Sequence, residues 1–373
     1  MTYDKIDKLN TVKIAGAYVA WVMGSGFATG QEILQFFTSY GYKSFILLAI
    51  NLIGFLLIGP IILRAGRDHK GIEPTLPDTG EPNPDYDPKG VDGFNHFNYF
   101  CGRKIGACYT WFLPVALFAG MIILISGSGA TLSEYYGINH YVGALIMAAL
   151  AYIAYVVGFQ RFVKVVSFIG PTIIFFTLFV GVVTLVRDFD GLSQVNNFTT
   201  EMSAKQPVPW WWLSGLLYIS YNLNGGSKYY TALGMTGVTR REAYWGAMLG
   251  TVALMISILL MNSAMLTDIG NTAVLDVPTL YLTRKISYGL GAVFSIILIM
   301  GIFSSCSAML WTISETFVVQ GTRKSRIFAG CVTIAAFLIG LLPFAQLVGV
   351  VYTILGYVGL IFGGCVIYKR FKK

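Results

Sequence analysis

The chain has 373 residues, 55% of them hydrophobic and only 12% charged, with a mean hydropathy of +0.66 and a net charge of +8. That composition excludes a set of soluble globular domains and is the composition of an all-α polytopic membrane protein. The surplus of positive charge is informative through its placement, because an evenly basic surface would suit nucleic acid whereas charge confined to alternate loops reports membrane orientation.

Ten apolar segments come near the roughly 20 residues needed to cross a hydrocarbon layer. They lie near 12–37, 44–64, 107–130, 140–158, 162–186, 209–233, 242–266, 288–316, 326–342 and 345–367, the last two divided by Leu342-Pro343-Phe344. The first follows Lys5, Lys8 and Lys13 and is too long, and too polar at its end, to be a cleaved leader. It carries Val22-Met23-Gly24-Ser25-Gly26-Phe27-Ala28-Thr29-Gly30-Gln31-Glu32, three glycines and a Gln-Glu pair in an otherwise apolar run. Backbone groups freed inside hydrocarbon cost several kcal/mol each, so glycines that loosen a spanning helix are tolerated where the freed groups line a cavity or meet a ligand. Gly24-Ser25-Gly26 is therefore a candidate break and binding site, with close helix packing through Gly26-x-x-x-Gly30 as the plainer alternative. The spacing is wrong for a dinucleotide fingerprint, and no strand precedes it. Glu32 is an intramembrane carboxylate, read either as a gating or proton-carrying group or as a partner in a structural hydrogen bond with Gln31 or a neighbouring helix.

Between the second and third segments, Glu73 to Pro88 is acidic and proline-rich, and a cytoplasmic insertion over about 70–95 without fixed structure is expected. In the third segment Phe118 is a candidate for the apolar wall of a site. The sixth segment opens on Trp210-Trp211-Trp212, an interfacial aromatic anchor, and continues into Tyr218-Ile-Ser-Tyr-Asn-Leu-Asn-Gly-Gly226. Here again polar side chains and paired glycines sit at mid-membrane. Two interrupted segments in corresponding halves are the best sequence pointer to a transporter site. Tyr221, Asn222 and Asn224 offer acceptors and donors for a polar group, with capping of a half-helix as the competing role, and Tyr218 adds an apolar face. After the seventh segment, Asp276-Val-Pro-Thr-Leu-Tyr281 is apolar enough for a short helix over the outer mouth, as a lid or a plain connector.

No enzyme signature is present: HExxH, GxSxG and the phosphate-binding GxxxxGK[ST] are all missing. The five cysteines have neither metal-ligand nor paired spacing, and His69, His96 and His140 fall in or near loops, where solvated side chains are the default. With ten spans both termini lie on one side. Of the 26 lysines and arginines, all but Lys43, Arg187, Lys205, Arg284 and Lys285 then fall on that side too. The expected location is the cell membrane, multi-pass, with both termini cytoplasmic.

The segments MGSGFATGQEILQFF, FNYFCGRKIGACYTWFL, LLYISYNLNGG and MGIFSSCSAML together make the chain resemble the YkvI-like membrane proteins, a bacterial branch of the amino acid–polyamine–organocation superfamily. The resemblance covers nearly the whole chain apart from the insertion. It implies a single transporter domain of LeuT-like fold, a five-plus-five inverted repeat with repeat one over about 11–187 and repeat two over about 209–367. Helices 1 and 6 are expected to be broken at mid-membrane, with substrate held between them. Gly24, Ser25 and Gly26 would then bind a carboxylate at a half-helix N-terminus. A sodium site is implied at Ala20 and Met23, through backbone oxygens, and at Gly301, Ser304 and Ser305 in span 8, oxygen ligands of the kind a hard cation takes. The rival coupling ion is the proton, for which Lys164 in span 5 is the lysine that could occupy the sodium position, snorkelling to the interface being its plainer role. The expected function is sodium-coupled symport of a small amino acid or related carboxylate-bearing solute. A proton-coupled carrier of the same fold and a transport-inactive ligand sensor stand as alternatives. Expected partners are the small-molecule substrate and the lipid bilayer, with no nucleic acid and no cofactor besides the sodium ion.

Overall fold

The computed structural model describes residues 6–76, 81, 83, 85–158 and 169–372. Helices occupy each of the ten expected positions, and the first is interrupted. Helix α1 (Lys8–Val22) ends at Met23, whose backbone leaves the helical region, and α2 (Ser25–Thr29) and α3 (Gln31–Phe36) follow. Helix α4 (Lys43–Asp68) leads through the insertion, with its strand β1 (Tyr86–Val91), to α5 (His96–Tyr136), which is kinked at Gly102. Then come α6 (His140–Val157), α7 (Ile169–Arg187), a 3-10 segment (Phe189–Phe198), α8 (Thr199–Lys205), α9 (Trp211–Thr236) and α10 (Arg240–Leu266). Two short helices, α11 (Ile269–Thr272) and α12 (Pro278–Ile286), precede α13 (Tyr288–Phe317), α14 (Arg323–Ile339) and α15 (Phe344–Phe371). Among the described residues six helices are long and apolar enough to cross a membrane, or seven if α7 and the segment bent 89° from it count as one span.

Helix ends are set by local chemistry. The Asp7 carboxylate accepts from the N–H groups of Leu9 and Asn10, and the side chains of Asn95, Asn139, Thr239 and Thr322 cap α5, α6, α10 and α14 in the same way. Glu242, three residues after the Thr239 cap, accepts from Val238 N–H at 3.0 Å and from the Asn10 amide at 2.8 Å, which ties the start of α1 to the start of α10. Pro343 stands immediately before α15, as the expected boundary between the last two segments requires.

Two apolar cores organise the molecule. One is built mainly from α1, α4, α9 and α10, with Ile14, Tyr18, Phe55, Tyr218, Tyr230, Leu254 and Ile258 at its centre. The other is built from the C-terminal part of α5 with α6, α13 and α14, around Ile123, Met147, Phe294, Leu298, Leu310 and Ala336. Helices α4 and α9 touch backbone to backbone: a Cβ on Gly234 would lie 2.0 Å from the Leu63 carbonyl oxygen, and one on Gly66 would lie 2.1 Å from that of Thr231. The broken first span joins the two cores, since Phe27 belongs to one and Ala28 to the other, and Tyr352 of α15 packs against both.

Two expectations are corrected. Span 6 is not broken, for α9 runs as one helix from Trp211 to Thr236. Three of its polar side chains bond to carbonyls of their own helix: Ser220 donates to Leu216 O at 2.7 Å, Asn222 to Tyr218 O at 3.1 Å and Ser227 to Asn224 O at 2.7 Å. Gly226 makes room for the Trp21 indole, whose Nε1 would be 2.4 Å from a Cβ there, so this glycine serves packing. The insertion also carries more structure than its composition suggests. Asp87 N–H donates to Gly93 O at 2.7 Å, the Asn95 amide donates to the Asp87 carboxylate at 2.8 Å, and the His69 ring stacks on Phe94 at 4.2 Å. Its aromatic and β-branched residues fold back on the ends of α4 and α5, supplying the apolar contact that the acidic stretch lacks.

Candidate functional site

The interruption of the first span has two turns. Gly24 is extended (φ −75°, ψ −169°) and caps α2, and Gly30 adopts a left-handed conformation (φ +83°) that ends α2 and begins α3. By helix geometry the first-turn N–H groups of α2 and the last carbonyls of α1 have no partner within their own helix. Gly24 has open space, its nearest neighbour to an added Cβ being Trp21 O at 3.8 Å. Gly26 faces two polar atoms: a Cβ there would lie 3.1 Å from the Tyr352 hydroxyl and 3.5 Å from Glu32 Oε2. Gly24 and Gly26 thus lie at the first turn of the interruption, Gly26 against the Tyr352 hydroxyl and the Glu32 carboxylate. Ser25 shares this turn as the first residue of α2.

Glu32 is 4% exposed and accepts a hydrogen bond from the Tyr221 hydroxyl. Of its alternative roles, the structural bond goes to a neighbouring helix and not to Gln31. Tyr218, Tyr221 and Tyr352 all lie within electrostatic reach of the carboxylate. Tyr221 and Tyr352 stack at 4.7 Å with planes 7° apart, and Tyr218 packs edge-on to Phe37 at 4.7 Å, its hydroxyl making no hydrogen bond of its own. Asn222 is spent on its own helix, whereas Asn224 Oδ1 is buried without a partner. Phe118 packs in the other core, away from this ring.

Sequence reading missed Gln31 and Gln35, although both stand beside Glu32 in the chain. Gln31 is fully buried and its amide atoms have no partner, while Gln35 donates to Ala345 O at 2.7 Å and so fastens α3 to α15. His96 was also misread as solvated: it is 3% exposed, with Nε2 2.9 Å from Ser227 Oγ. The short helix expected over the outer mouth is α12. It rests on the second turn of the break, where Thr279 Oγ1 and Pro278 Cγ would stand 2.4 and 3.1 Å from a Cβ on Gly30. Glu134 of α5 anchors its leading end by accepting from Asp276 N–H at 2.7 Å.

Of the residues implied for sodium, Met23 closes α1 and is fully buried, and Ala20 lies one turn before it, half-buried. Gly301, Ser304 and Ser305 lie on α13, which packs against α2. Lys164 lies outside the described residues. Among the described residues no three His, Cys, Asp or Glu side chains gather as a metal-ion cluster. On the side of the molecule where α9 and α13 end, a cavity of about 450 Å³ opens beneath β1, with Asn95, His96, Thr110, Lys228, Thr312 and Glu315 in its wall.

No family model matches the chain. A curated relative, the uncharacterized membrane protein YkvI of Bacillus subtilis (strain 168), is 23% identical over 360 residues, which is 96% of this chain and 95% of that protein. Two solved structures of the Eremococcus coleocola manganese transporter, a histidine-to-alanine and a glutamate-to-glutamine variant, are similar in fold. Each has a TM-score of 0.51 at 13% identity, covering 94% and 96% of this chain and 76% and 79% of those chains. The resemblance to YkvI thus covers nearly the whole of both chains, and the helical fold is similar to that of the manganese transporter structures.

Proposed function

We propose that the protein is a secondary transporter that moves a small amino acid or related solute across the cell membrane by alternating access, with sodium as the coupling ion. The observation that carries this reading is the division into two separately packed cores, with the interrupted first span, Glu32 and Tyr352 on the seam between them. Rocking of one core against the other would open that seam first to one side and then to the other, and irregular backbone within a membrane is tolerated where it lines such a cavity. On this reading the ten helical positions are ten crossings in two inverted halves, α12 covers the outer entrance, and the cavity beneath β1 is the cytoplasmic exit. The free N–H groups of α2 receive a carboxylate. The carbonyls at the end of α1, with Ser304 and Ser305 of α13, receive sodium.

The test is counterflow in proteoliposomes. Preloaded amino acids should drive accumulation of labelled solute, with a sodium dependence that the Ser304→Ala/Ser305→Ala double variant shifts to higher concentration. Saturable binding without exchange would refute transport and leave a sensor. A second reading, proton coupling, is favoured by one observation: Glu32 is buried, and no lysine, arginine or histidine among the described residues pairs with it. Uptake that is independent of sodium and driven by an inward proton gradient would select it.

A further inference from the structure

Strand β1 is fastened at two points. Among the described residues it is the one strand, and it pairs with its own return, Tyr86 and Val91 each bridging to Phe94. A two-stranded unit is marginal in water by itself, so its place depends on what fastens it. Phe94 is fully buried, stacked on the His69 ring at 4.2 Å and edge-on to Tyr99 at 5.4 Å, which seats the return on the ends of α4 and α5. The Asp87 carboxylate accepts from the amides of Asn95 at 2.8 Å and Asn98 at 3.2 Å, at the start of α5. Pro88, Gly90 and Val91 are half-buried or exposed.

Those three residues stand in the wall of the cavity of about 450 Å³, a volume within the range of small-molecule sites. Its other walls include Thr110 of α5, Lys228 of α9, and Thr312 and Glu315 of α13. Helix α9 packs in the first core and α13 in the second, so the cavity lies where the two cores part. The fastenings of β1 belong to one side of that division. Phe94 is in the first core, with Phe97, Phe100 and Tyr109 of α5 and with Leu63 and Ala65 near the end of α4. A solute that leaves the seam by this route passes between an element fixed to the first core and a helix of the second. Releasing Tyr86–Val91 costs the Asp87 bonds and the short pairing with Phe94, while the Phe94 ring stays seated. Segments with few buried contacts are the ones that open at low free energy.

We propose that Tyr86–Val91 is a lid on the cytoplasmic exit, latched to α5 through Asp87 and closing against the α13 wall of the cavity. Opening of the latch then sets the rate at which solute is released, as lid opening does in many cycles of binding and release. This inference rests on the carrier reading above and adds the element that governs its inner end. It also gives Asp87 a task of its own. The cap of α5 is supplied by the Asn95 side-chain oxygen, which accepts from the N–H groups of Phe97 and Asn98, whereas Asp87 engages the amide nitrogens.

The test uses the full-length protein with its native cysteines replaced by serine and its melting temperature checked against wild type. A single cysteine is placed in the cavity wall by Thr312→Cys, and its labelling by a water-soluble maleimide in detergent reports access to the cavity without any solute. Asn197→Cys, exposed outside the cavity, is the control. Asp87→Ala removes both latch bonds and should raise the labelling rate at Thr312→Cys by about 10-fold or more, the scale for losing a hydrogen bond to a charged group. Should that variant not fold, replacing Tyr86–Val91 by glycine and serine residues of equal number keeps the chain connection, removes the lid surface and should raise the rate at least as much. Labelling at Asn197→Cys should not change. In proteoliposomes the same variants should speed counterflow severalfold. Unchanged labelling at Thr312→Cys, or a rise matched at Asn197→Cys, would overturn the lid. So would faster labelling joined to unchanged or slower counterflow, which takes the latch off the path that limits release. Because access to the cavity is measured without transport, faster labelling in a protein that shows no counterflow in any form refutes the carrier reading and leaves the cover over the cavity in place.

Discussion

Replacing Gly30 by alanine should destabilise the protein more than the same change at a left-handed glycine with open space around it. At φ +83° an alanine costs about 1–2 kcal/mol from backbone strain alone. Its Cβ would also stand 2.4 Å from Met265 Cε, 2.4 Å from Thr279 Oγ1 and 3.1 Å from Pro278 Cγ. The tip of Met265 can swing aside at small cost. Thr279 and Pro278 begin α12 and are themselves buried, so the helix must shift, and overpacking of this kind adds about 1–3 kcal/mol. The total expected is about 2–5 kcal/mol. Gly137 supplies the control: it has φ +68° at the end of α5 and nothing within 4 Å of an added Cβ, so Gly137→Ala should cost the strain of about 1–2 kcal/mol and no more. Thermal unfolding of the two variants, purified in parallel in one detergent, measures the difference, and with an unfolding entropy of about 2.1 cal/mol/K per residue the overpacking should make Gly30→Ala melt about 1–4 °C below Gly137→Ala. Equal melting temperatures would refute the packing of α12 on the interrupted span, and with it the role of α12 as the outer cover.

Gly26→Leu should abolish solute binding, because a Cβ there already stands 3.1 Å from the Tyr352 hydroxyl and 3.5 Å from Glu32 Oε2 and a leucine must displace both; retained affinity would move the site elsewhere. The ion pairs outside the spans predict a pH dependence. Burial alone would raise the Asp268 carboxyl, but bonds from Lys285 at 2.8 Å, Asn271 and Tyr281 more than offset it and hold it below its ordinary range. A group depressed in the folded state contributes stability that is present above its unfolded value of about 3.9 and is lost as pH falls through the folded value. Asp268→Asn should therefore lower the melting temperature at pH 7, and its deficit should shrink as pH is taken below 4; a deficit constant with pH would contradict the linkage. For topology, cysteine introduced at Asn197 should label from outside the cell and at Lys70 from inside, both side chains being exposed, whereas Val195 is buried and unsuitable as a probe; the reverse pattern would invert the orientation read from the basic residues.

The membrane class, the helix positions and the first break were legible because each depends on local chemistry: long apolar runs, capping side chains, and glycines where an apolar helix has no use for them. The supposed break in span 6 shows where that reasoning stops. Gly225-Gly226 and the asparagines around them have the same composition as a break, yet α9 is continuous, because Ser220, Asn222 and Ser227 bond to carbonyls of their own helix and Gly226 admits Trp21. A glycine that frees the backbone and a glycine that admits a neighbouring ring are written with the same letter. What separates them is the residue opposite, and Trp21 lies two hundred residues away in the chain.

The same non-locality hides the centre of the site while leaving its parts in view. Glu32 and Tyr221 were both candidates, one for gating and one for binding, and the bond between them spans 189 residues. Once they are joined, the roles change. In span 6 the Asn222 amide is bonded to its own helix while Asn224 Oδ1 is left without a partner, and the buried carboxylate of the interrupted span is held by a tyrosine hydroxyl of that helix. That carboxylate sits between two cores that pack separately, and Tyr352, whose ring stacks on Tyr221, packs against both. A solute bound at this seam would add contacts across it, strongest when the seam is closed and water is excluded. A ligand shifts a two-state equilibrium only by its differential affinity for the two states. A solute bound more tightly in the closed arrangement than in either open one would supply that difference.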